Sequence, residues 1–142
     1  MPTSLFGGCR VKPVAGRFLI TAVLILLCGL ALGFYMAIGD DVTLAPVHAH
    51  LNLVGFVAMS IYGLFYQVMP GADAGRWPLA HYWLSLAAAI CLPGGMALII
   101  LDDPAVGEPL SFIGMVAMTS SAILFASAIM QAGRASRAQG SS

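Results

Sequence analysis

Four stretches of this chain, residues 18–38, 47–69, 77–101 and 110–130, contain no Lys, Arg, Asp or Glu. Each matches the roughly 20 apolar residues that carry an α-helix across the hydrocarbon of a bilayer. Every charged side chain falls between these runs or beyond them. A water-facing surface needs roughly a quarter to a third of its residues charged to stay dissolved, whereas this sequence is 60% hydrophobic and 8% charged. The pattern predicts an all-α membrane protein with four transmembrane helices: a tail at 1–17, a membrane domain over 18–132 and a polar tail at 133–142. The lipid bilayer is then its main partner, and a formal net charge of zero leaves no basic surface for nucleic acid. A basic start followed by an apolar run also describes a secretory signal. The run at 18–38 is longer than the roughly 7–15 residues of a signal core and no convincing small-x-small cleavage site precedes Asp40, so it reads as a retained helix.

Charge also orients the helices. Arg10, Lys12, Arg17, Arg76, Arg134 and Arg137 fall on one side of a four-span arrangement, and Asp40, Asp41, Asp102, Asp103 and Glu108 on the other. By the positive-inside rule the basic side, with both termini, is cytoplasmic, which suits a bacterial-type inner membrane. Pro93-Gly94-Gly95 predicts a kink in the third span. Gly29-x-x-x-Gly33 in the first span, with Gly114, Ala117, Ser121 and Ala128 in the fourth, would let other backbones approach closely. Cys28 and Cys91 read as small buried hydrophobes, and Cys9 stands alone near the start.

The second span opens with His48-Ala49-His50-Leu51-Asn52. Three such polar groups are costly in hydrocarbon unless something binds them. Side chains two residues apart on a helix point about 200° away from each other, so His48 and His50 cannot grip one ion from one face. They can serve partners on opposite sides. Heme, a planar apolar group whose iron takes axial imidazole, fits this better than a compact zinc site. Without Cys-x-x-Cys-His it would be held non-covalently, as heme b. Gly55 leaves space on the helix face, and Asn52 either orients an imidazole, bonds a cofactor edge or joins two helices. His81, beside Tyr82 and Trp83, reads as a snorkelling imidazole in an interfacial aromatic belt with Trp77. The second span carries the chain about 30 Å before His81 is reached, too far to share a metal with His48 or His50. Gln67 reads as structural. No phosphate loop, no nucleophile with its base and no buried carboxylate pair is legible, so no catalytic residue is assigned.

The run from His48 to Pro70, HAHLNLVGFVAMSIYGLFYQVMP, resembles the tenth helix of the catalytic subunit of heme-copper oxidases, especially the C-type oxidases and their nitric oxide reductase relatives. There a His-x-His is followed by a Gly-aromatic pair, an apolar stretch with Gly and Tyr, and a closing Pro. His81-Tyr82-Trp83-Leu84 resembles the opening of the following helix. The resemblance covers about a third of the chain. It implies that His48 binds a high-spin heme and His50 a low-spin heme. The family's copper ligands and cross-linked tyrosine have no counterparts here, so the resemblance does not extend to a complete oxidase.

The resemblance also implies an architecture. The family's twelve helices form three arcs of four, and this chain resembles one arc. Three copies closing head to tail as a homotrimer would give the His48/His50 helix a neighbour on each side. A heme at each boundary would take His50 from one copy and His48 from the next, with the small-residue faces of the first and fourth spans as contacts. The function expected is electron transfer or heme-ligand sensing, with an electron-transfer partner. The alternatives are an accessory or assembly subunit of a larger oxidase that uses its histidines structurally, or a copper or heme chaperone.

Overall fold

The computed structural model describes residues 10–139, with side chains as far as Arg134. They form four helices: α1 (Pro13–Gly39), α2 (Ala45–Val68), α3 (Trp77–Ile100) and α4 (Pro104–Gln139). All four are long and apolar enough to cross a membrane, and no strand occurs among the described residues. This is the makeup of a multi-pass membrane protein.

Proline starts every helix. Pro13, Pro46, Pro78 and Pro104 sit in the first or second position of α1 to α4, where a missing N–H is harmless and φ is already helical. At the acidic end α1 and α3 stop the same way, on an aspartate pair. Asp40 and Asp102 take positive φ of 47° and 71°, and the N–H groups of Asp41 and Asp103 reach back to the carbonyls of Met36 and Leu98, which satisfies helix-end acceptors.

Three sequence boundaries shift. The first helix begins at Pro13 rather than Phe18, so part of the expected 1–17 tail is helical, and residues 1–9 with Cys9 lie outside the described residues. The segment before it is fastened down: Lys12 Nζ donates to the Met69 carbonyl at 2.8 Å and pairs with Asp73 at 3.2 Å. Gln67, structural as expected, accepts the Lys12 N–H at 3.0 Å. The fourth helix begins at Pro104 and runs to Gln139, past the expected tail boundary, because Gln131–Gln139 is rich in good helix formers and holds no proline.

Consecutive helices are neighbours, and α1 makes no extended contact with α4 among the described residues. The bundle is therefore not closed by its first and last helices. The most extensive packing is between α3 and α4, and glycine makes it possible. A Cβ on Gly95 would collide with the Ser111 backbone, and one on Gly107 or Gly114 with α3. Pro93 lies within α3 without ending it. The outward faces are apolar, with Ile20, Leu24, Leu27 and Phe34 exposed along α1 and Phe112, Val116 and Ile123 along α4. Cys28 is also exposed, not buried as its apolar surroundings in sequence suggested, because it lies with Leu24 and Leu27 on the outward side of α1.

Candidate functional site

The acidic-end half of α2 is not a regular α-helix. From Leu51 to Ala58 it widens into π-helical turns with i→i+5 bonding, a rare geometry that frequently marks functional sites. His48 and His50 sit just before this segment, and Asn52 and Gly55 sit within it.

His48 faces α1. Its Nδ1 lies 2.8 Å from the Gly29 carbonyl, and since a carbonyl can only accept, Nδ1 carries the proton. The lone pair is then on Nε2, which accepts from the Asn52 amide at 3.0 Å. Glycine creates the room: a Cβ on Gly33 would stand 3.0 Å from His48 Cε1, and one on Gly29 would stand 2.6 Å from Asn52 Oδ1. Gly29-x-x-x-Gly33 thus receives side chains of the same chain. It was expected to meet another copy, but the polar pair of α2 needs those two notches. Asn52 joins His48 rather than leaving it free, and its Oδ1 is buried without a partner among the described residues.

His50 diverges from His48, as helical pitch requires. Its Nδ1 donates to the Pro46 carbonyl one turn back at 2.8 Å, which again leaves Nε2 as the lone-pair nitrogen. That Nε2 has no hydrogen-bond partner among the described residues. Along the helix below it, Leu53, Val57, Ile61 and Leu64 are all exposed, an apolar stripe with one available imidazole nitrogen at its top. The space expected at Gly55 is taken by Ile25 of α1, whose Cγ2 a Cβ there would strike. Gly55 therefore lets α1 and α2 close together. No three His, Cys, Asp or Glu side chains converge among the described residues.

The third histidine is placed very differently from its sequence reading. His81 is fully buried and does not snorkel. Its Nδ1 lies 3.0 Å from the Tyr66 hydroxyl. The rings of Phe18, Tyr62 and Phe125 surround it, with centroids 5.2, 4.6 and 5.9 Å away. Ser85 donates to the His81 carbonyl at 2.8 Å and accepts from Ser121 at 2.8 Å. Tyr82 is buried as well and meets Thr21 of α1 at 3.0 Å. Of the expected aromatic belt only Trp77 and Trp83 are exposed, at 73% and 57%. The reason is depth: one turn into α3, all four helices already converge. A signal for this cluster was present in the sequence. Tyr62/Tyr66, His81/Ser85 and Ser121/Phe125 are i,i+4 pairs, each on one face of its helix.

The chain matches no protein-family model, no curated protein and no solved structure.

Proposed function

We propose that this chain is a membrane b-type heme protein in which His50 is the first axial ligand, acting in electron transfer or heme-ligand sensing. One observation carries the reading: His50 is held by Nδ1–H···O=C at 2.8 Å with Nε2 open above an exposed apolar stripe. Metal-binding histidines usually donate their second nitrogen to a carbonyl in this way, which fixes the tautomer and the ring. The stripe of Leu53, Val57 and Ile61 suits one face of a planar apolar group. His48 has the same tautomer, so in a homotrimer it would supply the second ligand to a neighbouring copy after exchanging the Asn52 amide. Iron held by two imidazoles supplies one-electron chemistry without an open coordination position. By the charge rule the site lies on the outer side of a bacterial-type inner membrane and the termini lie in the cytoplasm.

A second reading is favoured by His48 alone. Both its nitrogens are satisfied within the chain, as an accessory or assembly subunit with structural histidines would have them. The visible spectrum separates the two. Purified in detergent from heme-replete cells, the protein is expected to show a Soret band and a sharp α band on reduction, both lost in His50→Ala. A colourless preparation overturns the heme reading. Native mass measurement tests the trimer.

A further inference from the structure

At the basic end a cavity of about 720 Å³ opens between the α2–α3 turn and the last turns of α4, with Pro70, Ala72, Trp77, Leu124, Ala128 and Gln131 among the residues that line it. That volume is typical of ligand sites, which span roughly 300–1,000 Å³. Along α4 the lining runs from Leu124 outward to Ala132, about 12 Å at 1.5 Å per residue. The turn that forms the facing wall is held in shape. Lys12 Nζ donates to the Met69 carbonyl at 2.8 Å and pairs with Asp73 at 3.2 Å, while Gly71 and Gly75 take the positive φ of 72° and 81° that the turn requires. Trp77 is exposed on the wall, and tryptophan settles at the headgroup level of a bilayer.

Charge decides what fits there. All six Lys and Arg belong to this end, but only one of the six Asp and Glu does, Asp73. Lys12 takes that carboxylate. Arg76 and Arg134 are exposed and have no ion-pair partner among the described residues. Arg76 directly precedes Trp77 on one side of the cavity, and Arg134 follows Gln131 by one turn on the other. Inorganic phosphate would use the two guanidinium groups and leave the apolar walls bare. A zwitterionic lipid would fill the walls and leave the positive charge unbalanced. A lipid with a negative headgroup satisfies both, and basic pockets between membrane helices are known seats for such headgroups.

We infer that this cavity binds one anionic phospholipid, with an acyl chain between the α2–α3 turn and α4 and the phosphate held by Arg76 and Arg134. The planar guanidinium fork suits a phosphate bidentately. The inference does not depend on heme.

Trp83→Phe leaves Trp77 as the sole tryptophan and makes it the readout. The full-length variant is reconstituted in phosphatidylcholine bilayers. Either phosphatidylglycerol or phosphatidylcholine, brominated on acyl carbons near the glycerol, is then added in rising fraction as quencher of Trp77. Saturable quenching is expected, with a preference of about twentyfold for the anionic lipid, or about fivefold for each arginine. Arg76→Gln and Arg134→Gln should each lower that preference about fivefold. Arg17→Gln makes the same change of charge on α1, which has no extended contact with α4, and should alter it by less than about twofold. Ala128→Leu should weaken quenching by the anionic lipid while leaving helix content unchanged. Equal quenching by the two lipids would overturn the site. A loss in Arg17→Gln as large as in Arg76→Gln would do the same, because it would show attraction to the basic surface as a whole. Undiminished quenching in Ala128→Leu would overturn the cavity as the seat of the acyl chain.

Discussion

Histidine occurs at both ends of this membrane domain, in opposite circumstances. At the basic end His81 is enclosed by rings from the other three helices and shares its one hydrogen bond with Tyr66. At the acidic end His48 and His50 are half-buried, each fixed through Nδ1 by a backbone carbonyl, and only His50 keeps an open nitrogen. The same side chain is a sealed packing element in one place and a half-buried group with one unpartnered nitrogen in the other. Neighbours decide between the roles, because an imidazole in an apolar interior is useful to a ligand only where the fold leaves a path to one of its nitrogens.

Substitutions can break or sharpen that contrast. The largest effect is expected where the scaffold shared by both ends is tightest: Gly95→Leu drives a side chain into the Ser111 backbone and should destabilise by about 3 kcal/mol or more, read as loss of the cooperative thermal transition in detergent. Next comes a direct comparison. His81→Ala should cost about 2–4 kcal/mol, as for other large-to-small core changes, whereas His50→Ala should stay within about 0.5 kcal/mol while removing heme absorbance. Equal losses at the two sites would erase the distinction.

Asn52→Leu tests the pair at the acidic end more finely. It removes the orphaned Oδ1 along with the donor to His48 Nε2, so the two effects offset and stability should move by no more than about 1 kcal/mol. Freed of the amide, His48 should bind imidazole-seeking iron more readily, seen as a larger low-spin fraction in the visible spectrum. The smallest effect is electrostatic and lies in the loop before α2. Hydrogen bonds from the Thr43 hydroxyl and N–H hold the Asp41 carboxyl below its usual pKa. A depressed folded-state pKa stabilises the loop above the unfolded value, and that contribution is lost as pH falls through the folded pKa. Thr43→Val should raise the Asp41 titration toward its ordinary value, measurable by NMR, with little change at pH 7 in either histidine site.

Much of the acidic-end site could be read from the sequence because it is local. His48, His50 and Asn52 lie within five residues, so helical pitch alone gives their divergence, and the cost of polar groups in hydrocarbon singles them out. Their partners were not legible. That Gly29 and Gly33 receive His48 and Asn52, and that Ile25 fills the notch at Gly55, depends on the register of α1 against α2, which small residues permit at several offsets. The basic-end cluster was missed for a related reason. Phe18, Tyr62, Tyr66, His81 and Phe125 come from four helices, and a lone His next to Tyr and Trp looks the same in sequence whether it faces lipid headgroups or a core.

The sequence by itself determined that the chain forms four helices long and apolar enough to cross a membrane, but not where α1 and α4 start. Confining charge to the junctions leaves an apolar run no other way to satisfy its backbone in a bilayer. Only the tertiary structure decided which histidine is sealed and which is open. That choice depends on how α1, α3 and α4 pack around α2, and packing between apolar helices is governed by shape, to which hydropathy is blind.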